Sequence, residues 1–350
     1  MNIEINKRNT VLFCCAGLGM GNASRTMAII EEMERYNSIE KHFPEKIIIA
    51  TWGAGLKFFQ QYAKNSHRDI NLYALKDYAN WYKYPGIYFI NSLIIFDLIK
   101  KHKPKLVVID SDYHFLPFLF SKIKILSISQ APNVIERAIE NHYQPTNLFE
   151  RLAFLIREKL DSRIQLMIAD KVLVPCFRVN QSKNTQKAIQ IPLIVRSEFL
   201  SKSFVIPHAK IGILLSGSGI EKEHFLNLQE SQALNIISPD RKADDFICHS
   251  NEIDKFEIIF TQGGLSSISE AIARKKFLVV FPIKNHPEQI NNAITVEKLG
   301  IGIRAELIQL KNFNAFENLI MLKKKQSRPI DVQCDGATIA ASIINQEFSN

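Results

Sequence analysis

The sequence predicts an α/β protein made of two parallel-sheet units. Strand and helix signals alternate through the first half, a pattern that requires a parallel sheet with helices on both faces. The composition then changes between Phe177 and His208: Asn, Gln, Ser and Lys dominate Asn180 to Lys187, and Pro192 and Pro207 punctuate the rest. Beyond this crossover a second α/β unit starts at Lys210 and runs to about residue 330. A chain of 350 residues is long enough to bury two such cores.

Each element follows from its pattern. Val11–Cys15 is an apolar strand in which Cys14 and Cys15 are packing residues. Ser24 to Arg35 is a helix with Met27, Ile30 and Met33 on one stripe. Lys46–Thr51 is a strand, followed by a helix from Ala54 to Ala63. Phe89 to Lys101 reads as helix, Lys105–Asp110 and Ile123–Ile128 as strands. Leu148 to Ala169 reads as one long helix, then Val172–Pro175 as strand. In the second unit Lys210–Leu215 is a strand. Phe260 to Gly302 reads as strand, Gly-Gly turn, helix, strand, polar loop and helix. Asp335 to Ile344 is a last helix with Ile339, Ile343 and Ile344 apolar. The units therefore span 1–195 and 205–330, with a closing helix at 335–346.

Composition narrows the partners. A hydrophobic share of 46% and a mean hydropathy of −0.04 fit an ordinary globular protein. The formal charge of +9 favours anionic partners. No nucleic-acid module is visible, which leaves a membrane surface or a phosphosugar. Five cysteines with no C-x-x-C make a disulfide framework or a structural zinc site unexpected, and a reducing cytoplasm fits. The N-terminus carries no signal-peptide core, and no apolar run approaches the ~20 residues that span a bilayer. The expected location is cytoplasmic, with any membrane met from one face. The Asn147–Ala169 helix, with Arg151, Arg157 and Lys159, is the candidate for that contact; its plainer reading is a half-buried surface helix.

The chemistry concentrates in Phe260 to Gly302. Gly263-Gly264 opens a helix, so bare N–H groups and a positive dipole end meet at one point, suited to a phosphate or diphosphate. Leu265, Ile268 and Ile272 share a buried stripe, which puts Ser266 and Glu270 on the other side of the helix. Pro282 ends the next strand, and Asn285, His286, Glu288, Gln289, Asn291 and Asn292 follow, a polar group where open sheets bind ligands. Glu270 and Gln289 offer what a ribose and a hexose need.

A first glycine loop, Gly17, Gly19 and Gly21, follows the first strand. Its spacing is G-x-G-x-G and no acidic residue follows a second strand, so a dinucleotide cofactor is not expected. Ser216, Gly217 and Ser218 follow the first strand of the second unit and can meet a diphosphate from the other side. Asp110 and Asp112 end a strand, with His114 close by, and Gln130 ends the next; these are candidates for an acceptor side. Asp110-Ser111-Asp112 has D-x-D spacing in a context that demands no metal. No role is assigned to His208, His224, His249 or the Lys323–Lys325 run.

The composite of Gly263-Gly264, Glu270, Pro282, Glu288-Gln289 and Asn292-Ala293 resembles the donor-sugar half of the inverting GT-B glycosyltransferases. The nearest types are the bacterial N-acetylglucosaminyltransferase that makes lipid II and the sterol and plant-metabolite glucosyltransferases. The first glycine loop with Arg25 is similar to theirs as well. The resemblance implies two Rossmann-like domains facing each other across a cleft. It implies an inverting, metal-independent transfer of a hexose, without cofactor, from a nucleotide diphosphate sugar, UDP-linked, to an unidentified acceptor, lipid-linked or a cell-envelope glycan. Gly17, Gly19, Gly21, Arg25, Ser216, Gly217, Ser218, Gln262, Gly263, Gly264, Ser266, Glu270, Glu288 and Gln289 would bind the donor.

Three positions depart from the family pattern. Gln262 and Asn22 each stand where His is usual, and Arg274-Lys275-Lys276 replaces Gly-x-Pro in what is expected to be a surface turn. Asn22 takes no proton near neutral pH, so the base is expected at Asp112, with Asp110 and His114 as alternatives. Rival readings are a nucleotide-sugar hydrolase or epimerase on the same fold, and a non-catalytic nucleotide-sugar-binding protein.

Overall fold

The computed structural model describes residues 9–37, 44–66, 70–78, 84–112, 114, 116–119, 122–201, 207, 209–214, 225, 235–236 and 250–349. They form two wholly parallel sheets. The first has seven strands in the order β3-β2-β1-β4-β5-β6-β7: β1 Thr10–Cys15, β2 Lys46–Thr51, β3 Asn71–Ala74, β4 Leu106–Asp110, β5 Lys124–Ile128, β6 Lys171–Pro175 and β7 Ala188–Ile191. The second has five in the order β12-β11-β10-β8-β9: β8 Ala209–Leu214, β9 Asn235–Ile236, β10 Phe256–Thr261, β11 Phe277–Val280 and β12 Gly302–Arg304.

The central strands are continuous apolar runs because both faces are covered. On one face of the first sheet, Val11, Phe13 and Cys15 of β1 pack against Met27, Ile30 and Met33 of the Met20–Asn37 helix. On the other face, Leu12 and Cys14 pack against Ile95, Leu98 and Ile99 of the Tyr84–His102 helix. Both β1 cysteines are buried packing residues, as their strand implied. The second sheet is sandwiched in the same way, with Leu265, Ile268 and Ala271 on one face and Phe313, Phe316 and Ile320 on the other.

The chain crosses between the units twice, and the two crossings touch. The Leu193 N–H donates to Gln333 O over 3.1 Å, and the Gly336 N–H donates to Leu193 O over 3.0 Å. A Cβ on Gly336 would lie 2.1 Å from Pro192 O, so only glycine allows this approach. The last helix, Gly336–Ser349, then buries Ala337, Ala340, Ala341, Ile344 and Phe348 in the core of the first sheet.

Two expectations need correction. The segment after Phe177 is more than a crossover, because β7 lies inside it and pairs with β6. The 148–169 stretch is not one α-helix: α-helix Leu148–Ala153 passes into a π-helical stretch, Phe154–Leu160, and resumes as α-helix Asp161–Ile168. Glu150, Glu158 and Asp161 are buried, while Leu148, Phe149, Leu152, Leu155, Ile156 and Leu160 are exposed. The buried carboxylates have local donors: Glu150 accepts from the Thr146 N–H, the Thr146 hydroxyl and the Tyr143 hydroxyl at 2.7, 2.6 and 2.5 Å.

Candidate functional site

In open α/β sheets the ligand crevice lies where the strand order reverses. Here that is between β1 and β4 in the first sheet and between β8 and β10 in the second. The loop holding Gly17, Gly19 and Gly21 follows β1, Asp110 ends β4, and Gln262-Gly263-Gly264 follow β10. Both chemistry-bearing glycine turns therefore sit at switch points. Ser216, Gly217 and Ser218, beyond β8, lie outside the described residues.

The glycines have distinct reasons. A Cβ at Gly17 would lie 1.8 Å from Trp52 O, so the loop can hug β2 only without a side chain. Gly263 has φ +94°, a region that L side chains rarely adopt. Gly19 and Gly264, in contrast, face open space. Gly264 is the N-cap of the Leu265–Ala273 helix, and no side chain caps it. The helix therefore offers unused N–H donors and its positive dipole end to that space.

The two units meet beside this opening. Ser266 Oγ donates to Gly21 O over 3.0 Å, and Ser24 Oγ donates to Glu270 Oε1 over 3.0 Å. Ser266 and Glu270 do point away from the core of their own unit, but the Met20–Asn37 helix covers them. Glu270 is only 7% exposed, not on an open face. Burial pushes its pKa up, opposed by Arg196 and the Ser24 hydrogen bond. Arg196 is buried in the crossover between units, donates from Nε to Ser24 Oγ over 3.2 Å and lies 3.6 Å from Glu270 Oε1.

Arg25 is turned inward rather than toward a donor diphosphate. Its Nε donates to Asp110 Oδ2 over 3.2 Å and Nη2 pairs with Asp110 Oδ1, while Thr26 Oγ1 donates to Oδ2 over 2.8 Å. Burial works against the Arg25 charge, and Asp110 more than offsets it, so its pKa rises. Asp110 is fully buried and forked onto Arg25. The pair anchors the glycine loop instead: Arg25 Nη2 also donates to Asn22 Oδ1 over 3.1 Å and to Ser111 Oγ over 3.2 Å.

Asp112 is placed differently. Its Oδ1 accepts the His114 backbone N–H over 3.1 Å and pairs with His114 Nδ1, while His114 Nε2 lies 2.5 Å from Tyr78 Oη. Tyr88 stacks on the His114 ring, with centroids 5.3 Å apart. Asp112 Oδ2 is buried without a hydrogen-bond partner. So are both polar atoms of Gln130, at the end of β5, and Thr51 Oγ1 and Trp52 Nε1, at the end of β2. Orphaned polar atoms are rare in interiors. Here they gather at the carboxyl edge of the first sheet.

On the donor side, Gln289 Oε1 accepts the Ile283 N–H over 2.9 Å, and Glu288 is half-buried in the first turn of the Pro287–Lys298 helix. Gln262 is buried directly before the turn. Asn292 Nδ2 donates to Gly263 O over 2.9 Å and so pins the turn. Sequence reasoning missed Ser24, which fills an unspecified position of the first glycine-loop motif, and Arg196, which sits in no motif. It also missed that Arg274 is buried in an ion pair with Asp254, with Nε donating to Oδ1 over 2.7 Å. Arg274 is thus not part of a surface turn.

No family model matches the chain, and no curated protein matches it by sequence. Solved structures do. The Medicago truncatula protein UGT71G1, complexed with UDP-glucose, has TM-score 0.60 at 13% identity over 99% of this chain and all of that one (100%). The UDP-GlcNAc 2-epimerase of Neisseria meningitidis, bound to UDP-GlcNAc, has TM-score 0.60 at 13% identity over 96% of this chain and 98% of that one. MurG of Acinetobacter baumannii has TM-score 0.52 at 13% identity over 96% of this chain and 99% of that one. Likeness at such identity speaks for architecture. With both sheets, the two switch points and the returning last helix, this chain has the GT-B fold that the solved glycosyltransferases share.

Proposed function

We propose that the protein is an inverting glycosyltransferase that moves a hexosyl group from a UDP-sugar to a hydroxyl acceptor. One observation carries this reading: Gly19 and the uncapped helix N-terminus at Gly264 each face open space, at the two switch points. A diphosphate placed there is met by N–H groups and a helix dipole, which stabilise the charge that builds as the sugar leaves. The nucleotide sugars in the Medicago and Neisseria structures support a UDP-linked donor.

The residues divide the work. Glu270 takes the ribose, whose hydroxyls replace Ser24 Oγ on the carboxylate. Glu288 and Gln289 hold sugar hydroxyls. The acceptor oxygen attacks the anomeric carbon from the face opposite the diphosphate. The bond to the diphosphate oxygen breaks with its electron pair, and the acceptor proton passes to Asp112 Oδ2. His114 holds Asp112 Oδ1, which leaves Oδ2 for that role. Asn22, steadied by Arg25, offers its amide to the reacting centre as a hydrogen-bonding group.

UDP release with and without a mixed acceptor pool tests the reading. Acceptor-dependent release supports transfer. Acceptor-independent release would make the protein a hydrolase, and binding without turnover a binding protein. An epimerase is the second reading, since two UDP-GlcNAc 2-epimerase structures match at TM-scores of 0.61 and 0.60, beside 0.60 for the Medicago protein. Conversion of UDP-GlcNAc to its epimer without an acceptor would favour it.

A membrane surface completes the proposal. The apolar side chains from Leu148 to Leu160 face outward, with exposed Arg151, Lys159 and Arg163 among and just beyond them, on a chain of +9. Apolar and basic groups together match an anionic bilayer surface, and a lipid-linked acceptor would be presented there. Among the described residues no helix is long and apolar enough to cross the bilayer.

A further inference from the structure

Arg137, on the Ala131–Glu140 helix, is 6% exposed. Its Nη2 donates to Asn292 Oδ1 over 2.9 Å and its Nη1 to Thr295 Oγ1 over 3.3 Å, while the guanidinium lies 5.1 Å from the centre of the Phe177 ring. These partners are all neutral. Nε has no partner, and no carboxylate is within ion-pair distance among the described residues. Burial pushes the Arg137 pKa down to about 10, so the group is still cationic at neutral pH. A buried cation with no ion-pair partner carries a large solvation cost, which the more distant Glu288, Glu158 and Glu140 offset only in part. Such a group is expected to face an anion at least part of the time.

The side chain borders a cleft of about 490 Å³ at the seam between the two units. Arg178 and Lys298 line it too. Arg178 is exposed and has no carboxylate partner among the described residues, and Lys298 Nζ donates only to the backbone oxygen of Glu140, over 3.3 Å. Glu136 and Glu140 also line the cleft, but both are ion-paired with Lys183. Four cations against two carboxylates leave an excess of two positive charges. No residue assigned above to the donor or the acceptor borders this space.

We propose that the cleft is a second site, which takes a phosphate monoester held by Arg137 and Arg178. Asn292 ties it to the donor turn, because the same side chain accepts from Arg137 and donates to Gly263 O over 2.9 Å. An anion that draws on Arg137 is therefore felt at the glycine turn.

Calorimetric titration with glycerol 3-phosphate at constant ionic strength, with no nucleotide present, reads the site independently of the proposed donor chemistry. Saturable binding to wild type, weakened at least fivefold by Arg178→Gln and by Arg137→Gln, is the expected result. Arg178 is exposed, so its variant reports even if Arg137→Gln fails to fold. Vesicles containing phosphatidic acid form a parallel arm. Binding to these and not to the free ester, lost in Arg178→Gln, keeps the phosphate chemistry and makes a lipid headgroup its source. No saturable binding in either arm, or a loss under fivefold in Arg178→Gln, overturns the proposal.

Discussion

Ser24 Oγ donates to Glu270 Oε1 over 3.0 Å, a bond between residues 246 positions apart that joins the two units beside the open end of the Leu265–Ala273 helix. Glu270 belongs to the helix behind the Gly263-Gly264 turn and Ser24 to the helix behind the first glycine loop. A ligand that takes the Ser24 place on Glu270 Oε1 displaces that hydroxyl.

Opposite effects on nucleotide affinity follow for the two members of this pair. Glu270→Ala removes the acceptor and is expected to weaken UDP binding by about 1–3 kcal/mol. Ser24→Ala removes the competitor and should leave UDP affinity equal or improved. Calorimetry that shows Glu270→Ala unchanged in a folded protein would exclude the ribose role.

Asp112→Asn should abolish transfer and spare UDP affinity, since the variant loses a proton acceptor and little volume. A general base contributes typically ~10²–10⁴-fold in rate. Steady-state assays that retain more than about a tenth of wild-type activity would remove Asp112 from that role. Arg25→Ala should act another way, through loss of the loop anchor on Asp110, and so lower thermal stability together with activity.

Stability should depend on pH through Asp161. Burial raises its carboxyl from the ordinary aspartate range to about 6. A raised folded-state pKa means that its contribution is complete at low pH and is lost as the pH climbs from about 4 through about 6. Asp161→Asn keeps a hydrogen-bonding partner for Gln165 and Ser129, which donate to the carboxylate over 3.2 and 3.4 Å. The stability gap between variant and wild type should widen in favour of the variant by about 2 kcal/mol from pH 4 to pH 8. Denaturant titrations with a constant gap would show that Asp161 ionises without cost.

Co-sedimentation with anionic vesicles tests the outward apolar face. Binding should weaken with salt, because exposed charges are screened over ~8 Å at physiological ionic strength. Leu152→Asp, at an exposed position, should release the protein without unfolding it. Equal sedimentation of variant and wild type, or none at low salt, would sink the contact.

The sequence by itself determined the alternation of strands and helices, the burial of Met27, Ile30 and Met33, and the position of both glycine turns. These features are local: they rest on side-chain period and on the steric demands of backbone without a Cβ. Short or partly exposed elements escaped it. Strand β3 is a half-exposed edge of four residues, and β7 hides in a polar stretch. Tertiary structure alone decided the charge partners. Arg25 looks from its motif like a phosphate ligand, but Asp110, 85 residues on, is forked onto it. Glu270 looks open by helical spacing, but Ser24 of the other unit and Arg196 of the crossover cover it. The 148–168 helix shows the same limit, because periodicity separates two faces and cannot say which one meets water. Partners of a charge are chosen by proximity in space, and the field of a buried ion acts on whatever the fold brings near, at any distance along the chain.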